Sequence, residues 1–536
     1  MDVPPLLDLL QQWLREAAIK RYWNLQLLSL SFLVLAISVL LHRVWSLSKR
    51  SKTYKLPPSP PRIPILGNLH QLDALAHRSF RDLSQKYGPL MLLHLGQSPN
   101  LVVSSVEMAT EIMKNQDLVF ANRPSTTAAI ALLYGCTDIS FAPYGEYWRQ
   151  VRKICVLELL SAKRVQSFKN LREEEVKSVI QIISSSCLTR DGVVINLSKL
   201  LLTLANNIIS RCTLGAKYES AHENKFGQLS REVFRLLGAF SFHDYFPSVG
   251  WMDVVTGLSS RLKKVSQELD AFFDRVIEEH LVRHSKAQDG HGQVEDTSKL
   301  DLMDILLLSQ KDNTNVSRNN IKAIILNMFL GGTDTTTTIM EWTMAELIKN
   351  PKVMKIAQDE VRRVVGNKCK IEEEDINQMD YLKCIVKEIL RLHTPIPLLL
   401  RESSKSTQIT GYDIPPNTKV FINVWAIQRD AKFWGNPEEF RPERFINNHI
   451  DFKGQEFEFI PFGSGRRGCP GITFGITVVE YTLANLLYHF NWELPAGDKR
   501  EDLDMTEVLG ITLNKKIPLN VVPTIYASPQ LENGAN

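Results

Sequence analysis

"PFGSGRRGCPG", residues 461–471, places one cysteine in a stretch that also holds four glycines, two prolines and two arginines. Glycine permits backbone angles and close approaches that other residues do not. The sequence that follows, "ITFGITVVEYTLANLLYHF", predicts a long apolar helix that begins near Gly471. Cys469 is therefore predicted to lie where a glycine-rich loop meets the N-terminus of a helix.

The position of Cys469 favours a thiolate. Unpaired N–H groups at a helix N-terminus stabilise an anion, and such surroundings lower the pKa of a thiol. A lone thiolate, with no cysteine or histidine ligand beside it, matches an axial ligand of haem iron better than it matches a zinc site. On spacing alone, a buried structural cysteine and a redox nucleophile remain alternatives.

Helical patterns dominate the chain on both sides of this loop. Long examples are "SSRLKKVSQELDAFFDRVIEEHLVRHSK", "NIKAIILNMFLGGTDTTTTIMEWTMAELIKN" and "MDYLKCIVKEILRLH". Strand-like runs are short, as in "PLMLLHLG", "NLVVSS" and "TKVFINVWAI". A polar window at 285–299 predicts a mobile surface loop. We expect a mainly α fold with minor β, formed by one large domain over residues 67–536.

The composition excludes several classes of protein. A net charge of +4 with 23% charged residues indicates neither a disordered chain nor a nucleic-acid binder. The seven cysteines share no CxxC spacing, which argues against a disulfide scaffold or a zinc ribbon. A reducing compartment around the main body is therefore expected.

The N-terminal region predicts a membrane anchor. Residues 22–41 pass without a charge and match the length of a transmembrane signal-anchor helix, although a buried core helix is the alternative. Residues 1–21 form an extension, and residues 42–66 form a basic and proline-rich hinge whose prolines favour a stiff spacer. Because the basic residues follow the span, the C-terminal body is expected to face the cytosol.

The stretch at 462–471 resembles the haem-binding signature of the cytochrome P450 family, which reads Phe, two residues, Gly, one residue, Arg, one residue, Cys, one residue, Gly. The resemblance covers about residues 56–518. With the anchor, the proline-rich hinge and "FAPYGEYWRQVRK", the chain resembles the plant microsomal A-type branch, close to its seventy-one family. The resemblance implies the cytochrome P450 fold, a single large helical domain with small β-sheets.

The resemblance also implies a set of cofactor-binding residues. Cys469 would be the thiolate ligand of the iron in haem b. Trp148 and Arg152, four residues apart on one helix face, would contact the haem propionates. The remaining cofactor-binding residues would be Phe462, Arg467 and Arg401. The chain departs from the family pattern around Arg401, because it has Thr394 where proline is common and lacks the usual proline before the arginine.

Two further motifs match the family. "KEILR" and "FRPERF" supply Glu388, Arg391 and Arg444, and the resemblance implies that these three form a buried structural network. "GGTDTT" supplies Asp334 and Thr335 as the acid–alcohol pair that delivers protons during oxygen activation. Paired glycines and a threonine run are unfavourable inside a helix, which predicts a locally opened groove there. A kink or a packing face of small residues is the alternative.

The activity implied by the resemblance is oxidation of a lipophilic plant specialised metabolite, such as a terpenoid, phenylpropanoid or alkaloid. Dioxygen and NADPH electrons from a partner reductase would be consumed at the endoplasmic reticulum membrane. A haem-thiolate isomerase or dehydratase that needs no dioxygen, and a non-catalytic membrane haem protein, are the alternatives. The candidate substrate-pocket residues are Thr127, Ala131, Phe329, Thr333, Ile396, Leu399 and Leu509.

Overall fold

A computed structural model describes residues 26–35, 37–39, 54–189, 192–217, 225–289, 300–311, 316–366, 368 and 370–526. The chain divides into two compact units. One comprises Met1–Leu56 with Thr410–Asp413, and the other comprises Pro57–Ile409 with Ile414–Asn536.

The described part of the first unit is small. Residues 26–35 and 37–39 are helical, and the Lys55 N–H donates a hydrogen bond of 2.8 Å to Asp413 Oδ2. The predicted membrane span at 22–41 lies partly outside the described residues. Among those that are described, no helix is both long enough and apolar enough to cross a membrane.

Helices dominate the second unit, and the predicted fold class, mainly α with minor β, is confirmed. They are α1 (Ala76–Tyr87), α2 (Val106–Thr110), α3 (Thr127–Leu132), α4 (Glu146–Cys155), α5 (Ala162–Ser167), α6 (Lys169–Thr189), α7 (Leu197–Leu214), α8 (Lys225–Leu237), α9 (Phe242–Tyr245), α10 (Met252–Val255), α11 (Leu258–Asp289), α12 (Leu302–Lys311), α13 (Arg318–Lys349), α14 (Pro351–Val365), α15 (Asp380–Leu392), α16 (Val424–Ile427) and α17 (Ile472–His489).

The strands are short. They are β1 (Leu90–Leu95), β2 (Ser98–Val103), β3 (Ile195–Asn196), β4 (Leu398–Glu402), β5 (Thr407–Ile409), β6 (Tyr412–Ile414), β7 (Lys419–Asn423), β8 (Phe490–Glu493), β9 (Glu507–Leu509), β10 (Leu513–Lys515) and β11 (Asn520–Ile525). The largest sheet has the order β1-β2-β7-β4, in which only the β2–β7 pair is parallel. In a second sheet, β11 lies between β3 and β8, while β9 and β10 form a hairpin.

Helix α13 is the core of the second unit. Ser317 caps it, because the Ser317 hydroxyl accepts from the Asn320 N–H at 3.2 Å and Asn320 Oδ1 accepts from the Ser317 N–H at 2.7 Å. Most of its side chains are buried all round, as expected for a helix enclosed by others. It packs against α7, α15 and α17. Residues on α13 and residues next to α17 therefore face each other across the core.

Two predicted element boundaries shift. The polar window at 285–299 begins inside α11, which continues to Asp289, and residues 290–299 lie outside the described residues. The run "TKVFINVWAI" is a strand only as far as Asn423. There the Asn423 side chain accepts a hydrogen bond of 3.1 Å from the Ala426 N–H and caps the short helix α16.

Candidate active site

The loop before α17 holds Cys469 in a defined conformation. The Cys469 N–H donates to the Phe462 carbonyl at 2.9 Å, and the Gly468 N–H donates to the Gly465 carbonyl at 2.9 Å. Gly465 has a φ of +69°, and a Cβ there would lie 2.5 Å from the Met113 carbonyl oxygen, so only glycine fits. Cys469 thus lies three residues before the first residue of α17, and its side chain is open to a cavity.

This cavity lies between the cysteine loop and α13 and has an empty volume of about 1280 Å³ including its mouth. Its wall is largely apolar, and ligand pockets of this kind bind most of a small molecule's surface. The apolar side chains of its wall are Ile139, Leu160, Ile209, Met328, Ile339, Pro395, Ile396, Leu399, Pro461, Phe462, Pro470 and Phe474. Its polar side chains are Arg123, Ser140, Arg152, Asn327, Thr335, Thr336, Arg467 and Cys469.

The predicted lowering of the Cys469 pKa is wrong for the free thiol. Removal from bulk water raises the pKa of this thiol, and that effect exceeds the opposing effects of the Gly471 N–H, Arg152 and Arg123. A thiol that coordinates a metal ion is nevertheless deprotonated outright. The protein therefore offers a neutral thiol until a metal ion takes the proton's place.

Four arginines lie near one another: Arg123, Arg152 and Arg467 line the cavity, and Arg401 is buried close to them without being part of the wall. Among the residues that the structure describes, none of the four forms an ion pair with a carboxylate within 4.0 Å. Burial and the neighbouring arginines lower the pKa of Arg467 to about 9 and the pKa of Arg401 well below its usual value. Such a buried cationic cluster is unfavourable without an anion, so these residues fit a ligand that carries carboxylates.

Backbone carbonyls hold three arginines of the cluster. Arg152 donates to the Gly468 carbonyl at 2.8 Å, which ties α4 to the cysteine loop. Arg467 donates to the Ala121 carbonyl at 2.6 Å, and Arg401 donates to the Leu400 carbonyl at 2.9 Å. The Nε of Arg123 is buried without a hydrogen-bond partner. Arg123 therefore retains a free donor next to the cavity.

Trp148 contacts the arginine cluster but does not line the cavity, whereas Phe462 is part of the cavity wall. The Trp148 indole N–H donates to the Ile139 carbonyl at 2.8 Å, so its donor is already used. Its ring lies 4.4 Å from the Arg467 guanidinium and 5.3 Å from that of Arg152. Trp148 thus contacts the two arginines by cation–π interactions. Phe462 lines the cavity directly beside Cys469.

The glycines and threonines of α13 face different neighbours. A Cβ on Gly331 would meet nothing within 4 Å, whereas a Cβ on Gly332 would lie 3.0 Å from Ile209 Cδ1 of α7. Thr335 lines the cavity and donates its hydroxyl to the Gly331 carbonyl at 2.6 Å. Helix α13 is continuous through this motif, and the Thr335 hydroxyl engages the Gly331 carbonyl, so the locally opened groove at this place stays a prediction.

Asp334 lies on the other side of α13. Its carboxylate accepts hydrogen bonds from the Thr512 hydroxyl and, at 3.4 Å, from Asn514 Nδ2 of β10. Burial raises the pKa of Asp334, and these two hydrogen bonds only partly oppose the effect. The acid and the alcohol of the predicted pair are thus adjacent in sequence but point to different surroundings.

The structure brings Glu388, Arg391 and Arg444 together. Arg391 binds Glu388 through two hydrogen bonds of 2.8 Å, and Arg444 Nε lies 3.0 Å from the same carboxylate. Arg391 also donates to the Pro437 carbonyl at 2.7 Å. The side chains of Glu388 and Arg391 are fully buried. This network joins α15 to the chain segment that precedes the cysteine loop.

The candidate substrate-pocket residues divide into two groups. Ile396 and Leu399 line the cavity. Among the residues described, Thr127, Ala131, Phe329 and Thr333 are not part of its wall, and the Leu509 side chain lies outside the described part. Thr127 is instead bound to Asp244, to which it donates its hydroxyl at 2.8 Å.

Four polar residues of the wall were not identified from sequence: Arg123, Ser140, Asn327 and Thr336. Asn327 lies four and eight residues before Gly331 and Thr335, so helical periodicity along α13 gives a signal for it. Arg123 and Ser140 lie in irregular segments, where no periodicity indicates which way a side chain points. Their position depends on tertiary packing.

Comparisons with known proteins agree with this geometry. The family model described as cytochrome P450 matches residues 57–521. The chain is 57% identical over 508 residues to cytochrome P450 71A1 of Persea americana, covering 94% of this chain and 99% of that protein. It is 50% identical over 511 residues to a phenylacetaldehyde oxime monooxygenase of Prunus mume, covering 94% and 96%. A solved zebra fish cytochrome P450 structure with abiraterone has a TM-score of 0.68 at 24% identity, covers 84% of this chain and 100% of that chain, and shares the fold.

Proposed function

The chain belongs to the cytochrome P450 family, and on that basis we propose that it oxidises a lipophilic plant specialised metabolite in the cavity beside Cys469. Members of this family are haem-thiolate monooxygenases that use dioxygen and NADPH electrons delivered by a reductase. The chain is therefore a haem-thiolate monooxygenase.

The observation that carries the proposal is the arrangement of one thiol and three arginines without carboxylate ion pairs around one cavity, with Arg401 buried close to them. Haem needs an axial ligand for its iron and cationic partners for its two propionates. Cys469 would supply the first, and Arg123, Arg152 and Arg467, with the nearby charge of Arg401, would supply the second. When bound there, the haem activates dioxygen for insertion into a C–H or C=C bond, with electron density supplied by the thiolate.

Trp148 has an indirect role in this proposal. Its N–H is donated to the Ile139 carbonyl, and its ring lies against Arg152 and Arg467. It would therefore orient the two arginines that bind the propionates rather than donate to a propionate itself. Phe462, on the cavity wall, would contact the cofactor.

Thr335 and Asp334 handle protons. The Thr335 hydroxyl lies on the cavity wall and can hold a water molecule or dioxygen at the reacting position. Since burial raises the pKa of Asp334, this carboxyl keeps a proton to a higher pH than an ordinary aspartate does. We assign Asp334 as the proton donor that supplies Thr335 through ordered water, with Thr512 and Asn514 holding it between turnovers.

The wall chemistry supports a lipophilic substrate. Aliphatic side chains, among them Ile209, Ile339, Ile396 and Leu399, form most of the cavity and favour an apolar molecule. The Prunus mume relative acts on an aldoxime with an aromatic ring, as its name states. A terpenoid, phenylpropanoid or alkaloid is the substrate class that fits this cavity.

We also propose that the protein is held on the endoplasmic reticulum membrane by one N-terminal span, with the catalytic domain (67–536) in the cytosol and residues 42–66 as a spacer. The helical residues 26–35 and 37–39 carry exposed apolar side chains, including Leu27, Leu33 and Phe32. The catalytic unit also exposes Trp251 (62%), Val254 (69%) and Val255 (68%) at α10. An exposed apolar patch of this kind is typical of a membrane contact.

The reductase would dock on the side of the cysteine loop. Arg149 and Lys153 are exposed on α4, and Arg466 is half-exposed next to Asp117, whose carboxylate lies 2.6 Å away. Arg149 and Lys153 lie on either side of the cavity residue Arg152 in the sequence, and Arg466 precedes the cavity residue Arg467. A basic surface at this point favours an acidic redox partner.

Turnover of the purified chain with an NADPH-dependent reductase in lipid vesicles tests the function. With isotopically labelled dioxygen and a panel of terpenoids, phenylpropanoids and alkaloids, we expect one labelled oxygen atom in a product only when NADPH is present. Product formed without NADPH would instead support an isomerase or dehydratase. A complete absence of product with every class, despite intact haem, would support a non-catalytic haem protein.

A further inference from the structure

Ser140 and Asn327 form a polar patch in a wall that is otherwise mostly apolar. Both residues line the cavity, one from the segment before α4 and the other from α13. Asn327 Nδ2 donates to Ser140 Oγ at 2.9 Å, and the Ser140 hydroxyl donates to Asn327 Oδ1 at 3.1 Å. Nothing in the proposed oxygen chemistry requires a polar pair at this place.

A buried carboxylate fixes the orientation of this pair. Asn327 Nδ2 donates to Asp138 Oδ2 at 2.9 Å, and the Asp138 carboxylate also accepts from the Ser140 and Phe141 N–H groups at 3.0 and 3.1 Å. Burial raises the pKa of Asp138 to about 6, so this group is still ionised and accepts hydrogen bonds at neutral pH. Both Asn327 amide protons are therefore engaged, and its Oδ1 is the end that remains as an acceptor.

The hydrogen-bonding capacity that remains on Ser140 and Asn327 indicates which functional group of a substrate they can bind. With these bonds in place, Asn327 Oδ1 and Ser140 Oγ each keep one free lone pair, so both can accept a hydrogen bond from a ligand. A ligand hydroxyl group can donate its proton to these acceptors. A carbonyl oxygen, an ether oxygen or a hydrocarbon has no proton to donate and gains no hydrogen bond here.

The distance along α13 places this patch away from the reacting position. Asn327 and Thr335 are eight residues apart on the cavity face of one continuous helix. At a rise of 1.5 Å per residue, they are separated by about 12 Å along the helix axis. A substrate bound at Asn327 by one end would reach the region of Thr335 with its other end.

We propose that Ser140 and Asn327 form a hydroxyl-recognition subsite, so that the substrate is a lipophilic alcohol or phenol oxidised at the end remote from its hydroxyl. The inference rests on the proposed function, because it assumes that the cavity binds the substrate. It narrows that proposal from lipophilic metabolites in general to those that already carry a hydroxyl. An enzyme that installs this hydroxyl would then act earlier in the reaction sequence.

Calorimetric titration of the haem-loaded protein with two matched probes tests the subsite without turnover. The probes are para-phenylphenol and biphenyl, which differ by one hydroxyl. We expect wild type to bind the phenol about fivefold more tightly, as one net hydrogen bond would give. Ser140→Ala and Asn327→Leu should each reduce this ratio at least about threefold, whereas Ser140→Thr should restore it.

Met328→Leu is the matched control, because Met328 is the neighbouring wall residue and has no hydrogen-bonding role. The control should keep the wild-type ratio. A ratio near one in wild type, or an unchanged ratio in Ser140→Ala, would overturn the proposal. If Asn327→Leu fails to bind haem, the Ser140 variants decide. Failure of the proposed function is a separate result, since it would appear as missing product while the binding ratio stays measurable.

Discussion

Cys469 shows how opposing electrostatic effects meet at one atom. Burial raises the thiol pKa, while the Gly471 N–H and the positive charges of Arg152 and Arg123 stabilise the thiolate. Since burial is the larger effect, a charged sulfur here would depend on the metal ion that it is proposed to bind. The loop contributes geometry, because its backbone hydrogen bond to Phe462 directs the sulfur into the cavity.

Glu388 is the residue whose loss should destabilise the fold most. Its carboxylate is fully buried and is the partner of both Arg391 and Arg444. Removing one member of a buried ion network leaves an uncompensated charge and costs about 3–5 kcal/mol. We expect Glu388→Gln to lose this much free energy of unfolding, measured by denaturant titration of secondary structure and haem absorbance.

The exposed ion pair between Lys355 and Asp359 provides the matched control. Its two side chains are 2.8 Å apart and are mostly solvent-exposed. Exposed pairs of this kind contribute less than about 1 kcal/mol. Lys355→Met should therefore unfold close to the wild-type denaturant concentration, and equal losses in Lys355→Met and Glu388→Gln would contradict the account of the network.

His94 gives the fold a dependence on pH. Burial, reinforced by the positive charge of Arg62, lowers the pKa of His94 from 6.5 to about 4. Below pH 6.5 the unfolded chain therefore binds a proton that the folded chain does not, and stability falls as the pH drops toward about 4. Between pH 6.5 and pH 5 the loss is about 2 kcal/mol.

We expect His94→Gln to remove this component of the acid sensitivity. Free energies of unfolding of wild type and the variant, measured at pH 6.5 and pH 5, provide the comparison. The wild type should lose about 2 kcal/mol more than the variant over this interval. Identical losses in the two proteins would show that the folded protein protonates His94 as readily as the unfolded chain does.

At the scale of elements, periodicity identified α13 and α15, since long apolar repeats depend little on distant residues. The strand β7 was predicted too long because Asn423 caps α16, a local side-chain interaction that hydropathy does not report. The groove expected at Gly331 stays a prediction, and the hydrogen bond from the Thr335 hydroxyl to the Gly331 carbonyl is a contact of the kind that often bends a helix. The orientation of Asp334 could not be predicted, since Thr512 belongs to a distant part of the sequence.

Helix α13 also allows the proton-transfer assignment to be tested. Thr335→Ala removes a hydroxyl from the cavity wall without altering haem ligands. We expect product formation per NADPH to fall at least about tenfold while peroxide release rises, because positioned proton transfer contributes a factor of about 10²–10⁴. Coupled assays of NADPH, peroxide and product measure the effect.

Thr343→Ala is the control for this helix. Thr343 makes the same kind of hydrogen bond, to the Ile339 carbonyl at 2.7 Å, but it is buried and does not form part of the cavity wall. This variant should keep the wild-type ratio of product to NADPH. Full coupling in Thr335→Ala would rule out its role in proton transfer.

At the scale of the whole molecule, the proposed membrane association has two contributions that can be separated. Deleting residues 1–41 removes the proposed anchor, and the patch at Trp251, Val254 and Val255 remains. We expect the full chain to resist alkaline extraction from membranes and the truncated chain to be partly released. Replacing the three patch residues by serine in the truncated chain should lower its vesicle affinity at least about tenfold, because burial of each apolar side chain contributes about 1.5–3 kcal/mol.

Leu188→Ser is the matched control for the patch, because Leu188 is 79% exposed on α6 and lies outside α10. In the truncated chain this change should leave the vesicle affinity unchanged. Equal extraction of the full and truncated chains would contradict the proposed anchor. Equal vesicle affinity with and without the patch residues would contradict a contribution of the patch to membrane binding.

The account as a whole depends on the sulfur of Cys469 as the ligand of haem iron. The most direct measurement is the absorption spectrum of the reduced carbon monoxide complex in wild type and in Cys469→Ser. Wild type should show the red-shifted Soret band typical of thiolate ligation, and the variant, if it retains haem, should lack it. An unchanged red-shifted band in Cys469→Ser would show that another group binds the iron and would contradict the assignment of the site.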